Sequence, residues 1–162
     1  MNEQPVYRNL PNQSEVGLIS PVYAHPLKFF KKVAALDVKF IKATNENLGC
    51  WMFQMAKPLP GTGSDVRMDW KNSLIMKIGF ADASEIFYAF KTKTPVNLFH
   101  KNSKGSSSLQ IASSEKGGYW VNMTVVKDGA STKLSIALSE KEIDIMILMM
   151  KQTLPVQYQG SK

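Results

Sequence analysis

Cysteine is nearly absent. A single residue, Cys50, can form no disulfide within the chain, which excludes the stapled class of small secreted scaffolds. Histidine is almost as scarce. His25 and His100 lie 25 and 50 residues from Cys50, which matches no metal-ligand spacing, so no metal and no cofactor is expected. Long apolar runs are missing too: the longest, Ile143 to Met150, is interrupted by Asp144 and falls far short of the roughly 20 residues a membrane helix needs. The opening Met1-Asn2-Glu3-Gln4-Pro5 has neither a basic stretch followed by an apolar one nor the Arg-rich look of a transit peptide, and a cytoplasmic protein without membrane contact is expected. Catalytic patterns are equally thin. Gly61-Thr62-Gly63-Ser64 is followed by no Lys-Ser/Thr pair and no helix start, so it is a turn rather than a phosphate cradle. Ser139 and Glu142 have the spacing of a helix cap, and Cys50 lies beside Trp51 in a strand-like run where a thiol is inert. No enzyme is expected.

What is present is one domain's worth of chain. Its 162 residues, 44% of them hydrophobic, suffice to bury about 70% of the surface an unfolded chain exposes. The net charge is +7, and lysine supplies it: only Arg8 and Arg67 are arginines. The excess is local. Residues 28–43 carry +4 and residues 93–138 carry +4, whereas 44–92 and 139–162 are neutral and 1–27 carry −1. Two concentrated basic stretches fit a polyanionic partner better than a merely soluble surface. Lysine dominance favours point-charge contact with phosphates over bidentate reading of guanine edges.

Residues 1–27, with Pro5, Pro11, Pro21 and Pro26 and no period, read as an extended arm. A long extended run follows from Phe29 to Ala43, in which Lys32, Ala34, Leu36, Val38 and Phe40 form the more buried alternate set. A turn at Asn45–Gly49 leads to a strand over Leu48–Ala56, with Trp51, Phe53 and Met55 on one face. Strands are then predicted at Val66–Trp70 and Leu74–Phe80. Asp82, with Glu85 three residues on, is a candidate N-cap for a short helix burying Ile86, Phe87 and Phe90 and ending near Lys91. Four more extended segments follow: Val96–His100, Leu109–Ser113, Tyr119–Val126 and Lys133–Leu138, with Asp128-Gly129 as a tight hairpin turn. Ser139-Glu140-Lys141-Glu142 opens a last helix, apolar on nearly every side, that Pro155 is expected to stop.

The order is β-β-β-β-α twice, an α+β fold of two four-stranded sheets, each followed by a helix. The domain spans 28–160, with halves 28–93 and 94–155 between the arm and a tail at 156–162. A helix as apolar as the second needs burial between sheets or against another subunit, so self-association is expected.

The basic stretches are interleaved with aromatics. Lys28, Lys31, Lys32, Lys39 and Lys42 neighbour Phe29, Phe30, Trp51 and Phe53; Lys93, Lys101, Lys104, Lys116 and Lys127 neighbour Phe99, His100, Tyr119 and Trp120. Stacking a base on a ring is worth about 1–3 kcal/mol and tolerates any sequence, and lysines beside the ring take the phosphates. Such a mixture suits single strands, whose bases are open. Aromatics in sheets are nonetheless core residues more often than platforms, and alternation alone leaves the choice open for each ring.

Several segments resemble the Whirly family of single-stranded DNA-binding proteins. Lys31-Lys32-Val33-Ala34-Ala35-Leu36-Asp37 is similar to that family's K-G-K-A-A-L-S motif, with Lys32, Val33 and Asp37 in place of its Gly, second Lys and Ser. Met68-Asp69-Trp70-Lys71 resembles its Y-D-W-S/K segment, Phe99-His100-Lys101 its F-F-H-D, Trp120-Val121-Asn122-Met123-Thr124-Val125 its F-F-N-L-S-V, and Leu154-Pro155 with Gly160 its L-P-x-x-x-G. The resemblance implies two antiparallel four-stranded sheets, helices at the core of a homotetramer, and sequence-tolerant binding of single-stranded DNA along sheet edges in replication, recombination or repair. It also implies Lys31 as the motif's leading lysine, and strand placement adds Trp51, Phe53, Trp70, Tyr119 and Trp120 as expected base contacts. The departures from the motif point to a distant member from a bacterium or a bacterial virus. RNA binding or annealing, or a transcription cofactor of the same fold, is the neighbouring alternative. An assembly protein without a nucleic-acid partner is the alternative of a different class.

Overall fold

A computed structural model describes residues 26–42, 49–61 and 63–159, with side chains described as far as Pro155. The expected arm up to residue 25, most of the Asn45–Gly49 turn and Gly160 lie outside these residues. Among the described residues, eight strands and two α-helices follow in the order β1 (Leu27–Phe30), β2 (Ala35–Ile41), β3 (Cys50–Ala56), β4 (Leu74–Ile78), α1 (Phe80–Thr92), β5 (Val96–Asn102), β6 (Gly105–Ser113), β7 (Tyr119–Lys127), β8 (Ala130–Leu138) and α2 (Glu140–Gln159). Each half forms its own antiparallel sheet in sequence order, β1-β2-β3-β4 and β5-β6-β7-β8, followed by its helix.

Alternation sets the registers. In the first sheet Leu36, Met55 and Leu74 form one cross-strand row, Val38, Phe53 and Met76 the next, and Phe40, Trp51 and Ile78 a third. In the second, Val96, Ile111, Val121 and Ile136 form one row and Leu98, Leu109, Met123 and Leu134 the next. A one-residue slip would turn each row towards water, so these apolar sets pin the pairing. Both inner faces, with Ala83, Ile86, Ala89 and Phe90 of α1 and Ile143, Met146 and Met150 of α2, make one continuous core. Helix α1 lies against α2 and β5, and β4 of the first sheet lies against β6 and β7 of the second.

Local chemistry explains the turns. Lys127 and Ala130 pair across a two-residue loop in which Asp128 (φ 51°) and Gly129 (φ 77°) are both left-handed, the backbone of a type I′ hairpin turn. Gly118 is left-handed as well, and a Cβ there would sit 2.1 Å from the Leu138 carbonyl oxygen, so only glycine fits. At α2, the Ser139 hydroxyl accepts from the Glu142 amide at 3.3 Å while the Glu142 carboxylate accepts from the Ser139 amide at 2.8 Å, a complete capping box.

Four local expectations are corrected. The Phe29–Ala43 run is two strands, because Lys31–Ala34 form a turn closed by the Lys31 amide on the Ala34 carbonyl, 2.9 Å. Val66–Trp70 is no strand: only a Pro58–Met68 bridge forms, and Asp69 caps a single 3-10 turn over Trp70–Asn72. The cap of α1 is Gly79 rather than Asp82, whose carboxylate instead meets His100 Nε2 at 2.7 Å. Helix α2 continues through Pro155 to Gln159, since proline's fixed φ is itself helical and its cost is chiefly one lost hydrogen bond and local crowding.

Candidate nucleic-acid interface

A sheet with one face in the core exposes the other, and that parity decides which predicted residues can touch a ligand. Trp51 and Phe53 point inward and are fully buried; Tyr119 is buried too, its ring edge-on to Phe90 and its hydroxyl donating to the Phe90 carbonyl at 3.0 Å. Burial raises the Tyr119 phenol pKa, with the Glu140 charge adding to it. No base can stack on these three rings while the fold is intact, which corrects their assignment as base contacts. Cys50, half-buried at the start of β3, has its thiol pushed up by burial against the opposing pull of Lys77, which keeps it protonated and unreactive.

The outer face of the first sheet carries a compact polar and aromatic group. Lys28, Asp37 and Gln54 are direct cross-strand neighbours on β1, β2 and β3. Phe30, 59% exposed, meets the Trp70 ring edge-on at 6.4 Å, and the Lys28 ammonium lies 5.8 Å from the Trp70 centroid. Gln54 donates to Ser73 at 2.7 Å, and Ser73 in turn donates to the Trp70 carbonyl at 2.8 Å, which ties the 3-10 turn to the sheet. Lys39 reaches Asp37 at 3.3 Å and Gln54 at 3.4 Å. Beside this group, Phe30, Lys31, Lys32, Val66 and Met68 line an open depression of about 460 Å³.

Lys31 is differently placed from its neighbours. Its ammonium donates to both carboxylate oxygens of Glu142, each at 2.8 Å, so the lysine expected to lead the binding motif is bonded to the capping box of α2. Burial alone would raise the Glu142 carboxyl. The Lys31 hydrogen bond, the Ser139 amide, the Lys31 charge and the Ser139 hydroxyl together outweigh it and hold the group below the ordinary carboxylate range. A depressed carboxyl stabilises the fold fully above its unfolded pKa and loses that contribution as pH falls through the folded one. Glu142→Gln is therefore expected to lower stability by about 1 kcal/mol at neutral pH. The deficit should vanish as both proteins are acidified below the carboxylate range, as read by urea unfolding across pH; a deficit constant with pH would contradict it.

The outer face of the second sheet is simpler. Phe99 and Trp120 are 66% and 46% exposed. Between their rows runs a line of amides and a hydroxyl, Asn97, Gln110, Asn122 and Ser135, and Lys133 shares a row with Phe99. Lys101 lies one row further on. Lys104 and Lys127 come together at the end of this sheet, where with Asn102, Ser106 and Ser107 they line a pocket of about 230 Å³ against Ile75 of β4. Among the described residues, Lys32, Lys101, Lys104, Lys127 and Lys133 have no carboxylate partner. The arrangement can neutralise phosphates at the sheet ends, stack bases on Trp70, Phe30, Phe99 and Trp120, and hydrogen-bond base edges through Gln110 and Asn122.

Phe30 and Phe99 stand among the aromatics that the sequence interleaves with the lysines but not among the expected base contacts, and Lys133 is not among the expected contact lysines. The signal was there in the alternation: Phe99 lies between Asn97 and Lys101 in the polar set of β5, as Trp120 shares parity with Asn122 and Thr124. Trp51 and Phe53 share parity with Met55 in a set without a polar member.

A family model described as Whirly transcription factor matches residues 29–149. WHY3 from Arabidopsis thaliana superposes with a TM-score of 0.70 at 15% identity, over 85% of this chain and 90% of that one. The plant transcriptional regulator PBF-2 gives 0.68 at 16%, over 83% and 90%. MRP1/MRP2 of Trypanosoma brucei gives 0.60 at 7%, over 95% and 100%. A comparison with curated protein sequences gives no match.

Proposed function

This chain belongs to the Whirly family, and from that premise we propose that it binds single-stranded DNA with little sequence preference, by lysine–phosphate contacts and base stacking on the outer sheet faces. One observation carries the proposal: rings that would be core residues in an ordinary sheet, Phe99 and Trp120 above all, stand exposed on the outer face of the second sheet, where Lys133, in one row with Phe99, and Lys101, one row on, meet no carboxylate among the described residues. The contact residues are Lys28, Lys32, Lys39, Phe30 and Trp70 on the first sheet and Phe99, Trp120, Lys101, Lys104, Lys127 and Lys133 on the second. The protein acts by binding alone, without catalysis, and coats exposed strands during replication, recombination or repair in a bacterial or virus-infected cell. Titration of a labelled thymidine oligonucleotide over a range of salt tests this. Engagement of four or five lysines gives a log–log slope of about −3; a slope near zero would contradict phosphate contact.

Self-association belongs to the same proposal. Helix α2 buries Ile143, Met146 and Met150 within the protomer but leaves Ile145 and Leu148 exposed, with Ile147 and Met149 half-buried. Copies of this chain covering that stripe would complete a homotetramer. Light scattering reads the state directly, and a monomer at micromolar concentration would contradict it.

A further inference from the structure

Asp37 is an unexpected residue at the centre of a face proposed to hold a polyanion. Its side chain is 3% exposed on the outer side of the first sheet, with Lys39 at 3.3 Å and Lys28 at 4.0 Å from the same carboxylate oxygen, Oδ2. The other oxygen, Oδ1, is buried and accepts no hydrogen bond. A buried acceptor without a donor is unfavourable, and both lysines reach Oδ2 alone, so Oδ1 is left without compensation. Charge shielded from solvent is screened little by salt, so this carboxylate acts on any ligand laid over the face. The second sheet has no counterpart, since its outward lysines are unopposed by any acid among the described residues.

We propose that Asp37 is a specificity-determining residue. It keeps bare phosphate chains off the centre of the first sheet and leaves that surface to nucleobases. A polyanion entering the face must pull Lys28 and Lys39 away from Asp37 and then lie against the negative charge. A single-stranded nucleic acid avoids that penalty. Its phosphates stay at the margin, where the two lysines can swing to them, while a base stacks on Trp70 and Phe30 without approaching the carboxylate. The result is discrimination between a strand with bases and a polymer with charge alone. This rests on the single-strand-binding proposal.

The test compares a thymidine oligonucleotide with inorganic polyphosphate of matched charge, on the full chain and on Asp37→Asn. Asn keeps the shape and removes the charge. Polyphosphate affinity is expected to rise about tenfold and oligonucleotide affinity by less than about threefold, so the ratio between the two ligands collapses. Asp37→Ser, smaller and uncharged, should do the same. The exposed pair Lys28→Gln with Lys39→Gln, which leaves the carboxylate alone with no buried change, should move the ratio the opposite way. Equal factors for both ligands in the Asp37 variants, or an unmoved ratio in the lysine pair, would overturn the inference while leaving single-strand binding intact. Failure of the unaltered chain to bind the oligonucleotide would overturn the functional proposal itself.

Discussion

Trp51→Ala is expected to lower the unfolding free energy by about 3–5 kcal/mol, since Trp51 is the bulkiest fully buried side chain among the described residues. Trp51 is fully buried, set between Phe40 on β2 and Ile78 on β4, with its ring 6.1 Å from that of Phe40. Truncation leaves a cavity that a strand paired on both sides cannot collapse, because neighbouring rows hold the backbone. Trp51→Phe should cost much less. The indole Nε1 is buried with no acceptor, so removing it relieves a penalty that offsets part of the lost packing. The measurement is urea unfolding at fixed protomer concentration, since an associating protein has a concentration-dependent midpoint. Single-strand affinity of the folded Phe variant should be unchanged. A large loss of affinity with stability retained would restore Trp51 as a base contact and contradict the burial account.

The converse holds for Phe99→Ala with Trp120→Ala. Both rings face outward and neither belongs to the core, so stability should change by less than about 1 kcal/mol. Affinity for single strands should fall by about 5- to 150-fold for each ring and by at least about thirtyfold for the pair, from a loss of about 1–3 kcal/mol per stacked base. The salt slope should stay as in the unaltered chain, because no phosphate contact has been removed. Equal affinity would remove the second sheet's outer face from the interface. A flattened slope with lost affinity would mean that the rings position the lysines instead of stacking.

The two-sheet architecture was legible because period-two alternation and the S-x-x-E box at Ser139 are local signals, each tied to one physical cause. Elsewhere local signals misled. The turn at Lys31–Ala34 holds no Gly or Pro, so two strands read as one. Val66–Trp70 alternates like a strand, yet Asp69 binds the Asn72 amide and coils the chain into a 3-10 turn. Asp82 has the composition of a cap, but its partner, His100, is 18 residues away on β5. The site was less legible than the fold. Lysines were located correctly as charge but not as pairs: the bond from Lys31 to Glu142 spans 111 residues, and no window of sequence contains both. Rings could be sorted only by the company they keep on a strand. A polar alternate set exposes Phe99 and Trp120, and an apolar one buries Trp51 and Phe53.

Equilibrium binding of one sequence as single-stranded DNA, as duplex DNA and as single-stranded RNA, at low and moderate salt, tests the central claim most directly. Tight, salt-sensitive binding of the single strand is expected, with much weaker binding of the duplex, whose bases are already stacked and closed to Trp70, Phe99 and Trp120. Equal affinity for the two single strands would place RNA beside DNA as a ligand of the same faces. Equal affinity for single strand and duplex, or no single-strand binding at low salt, would contradict the account.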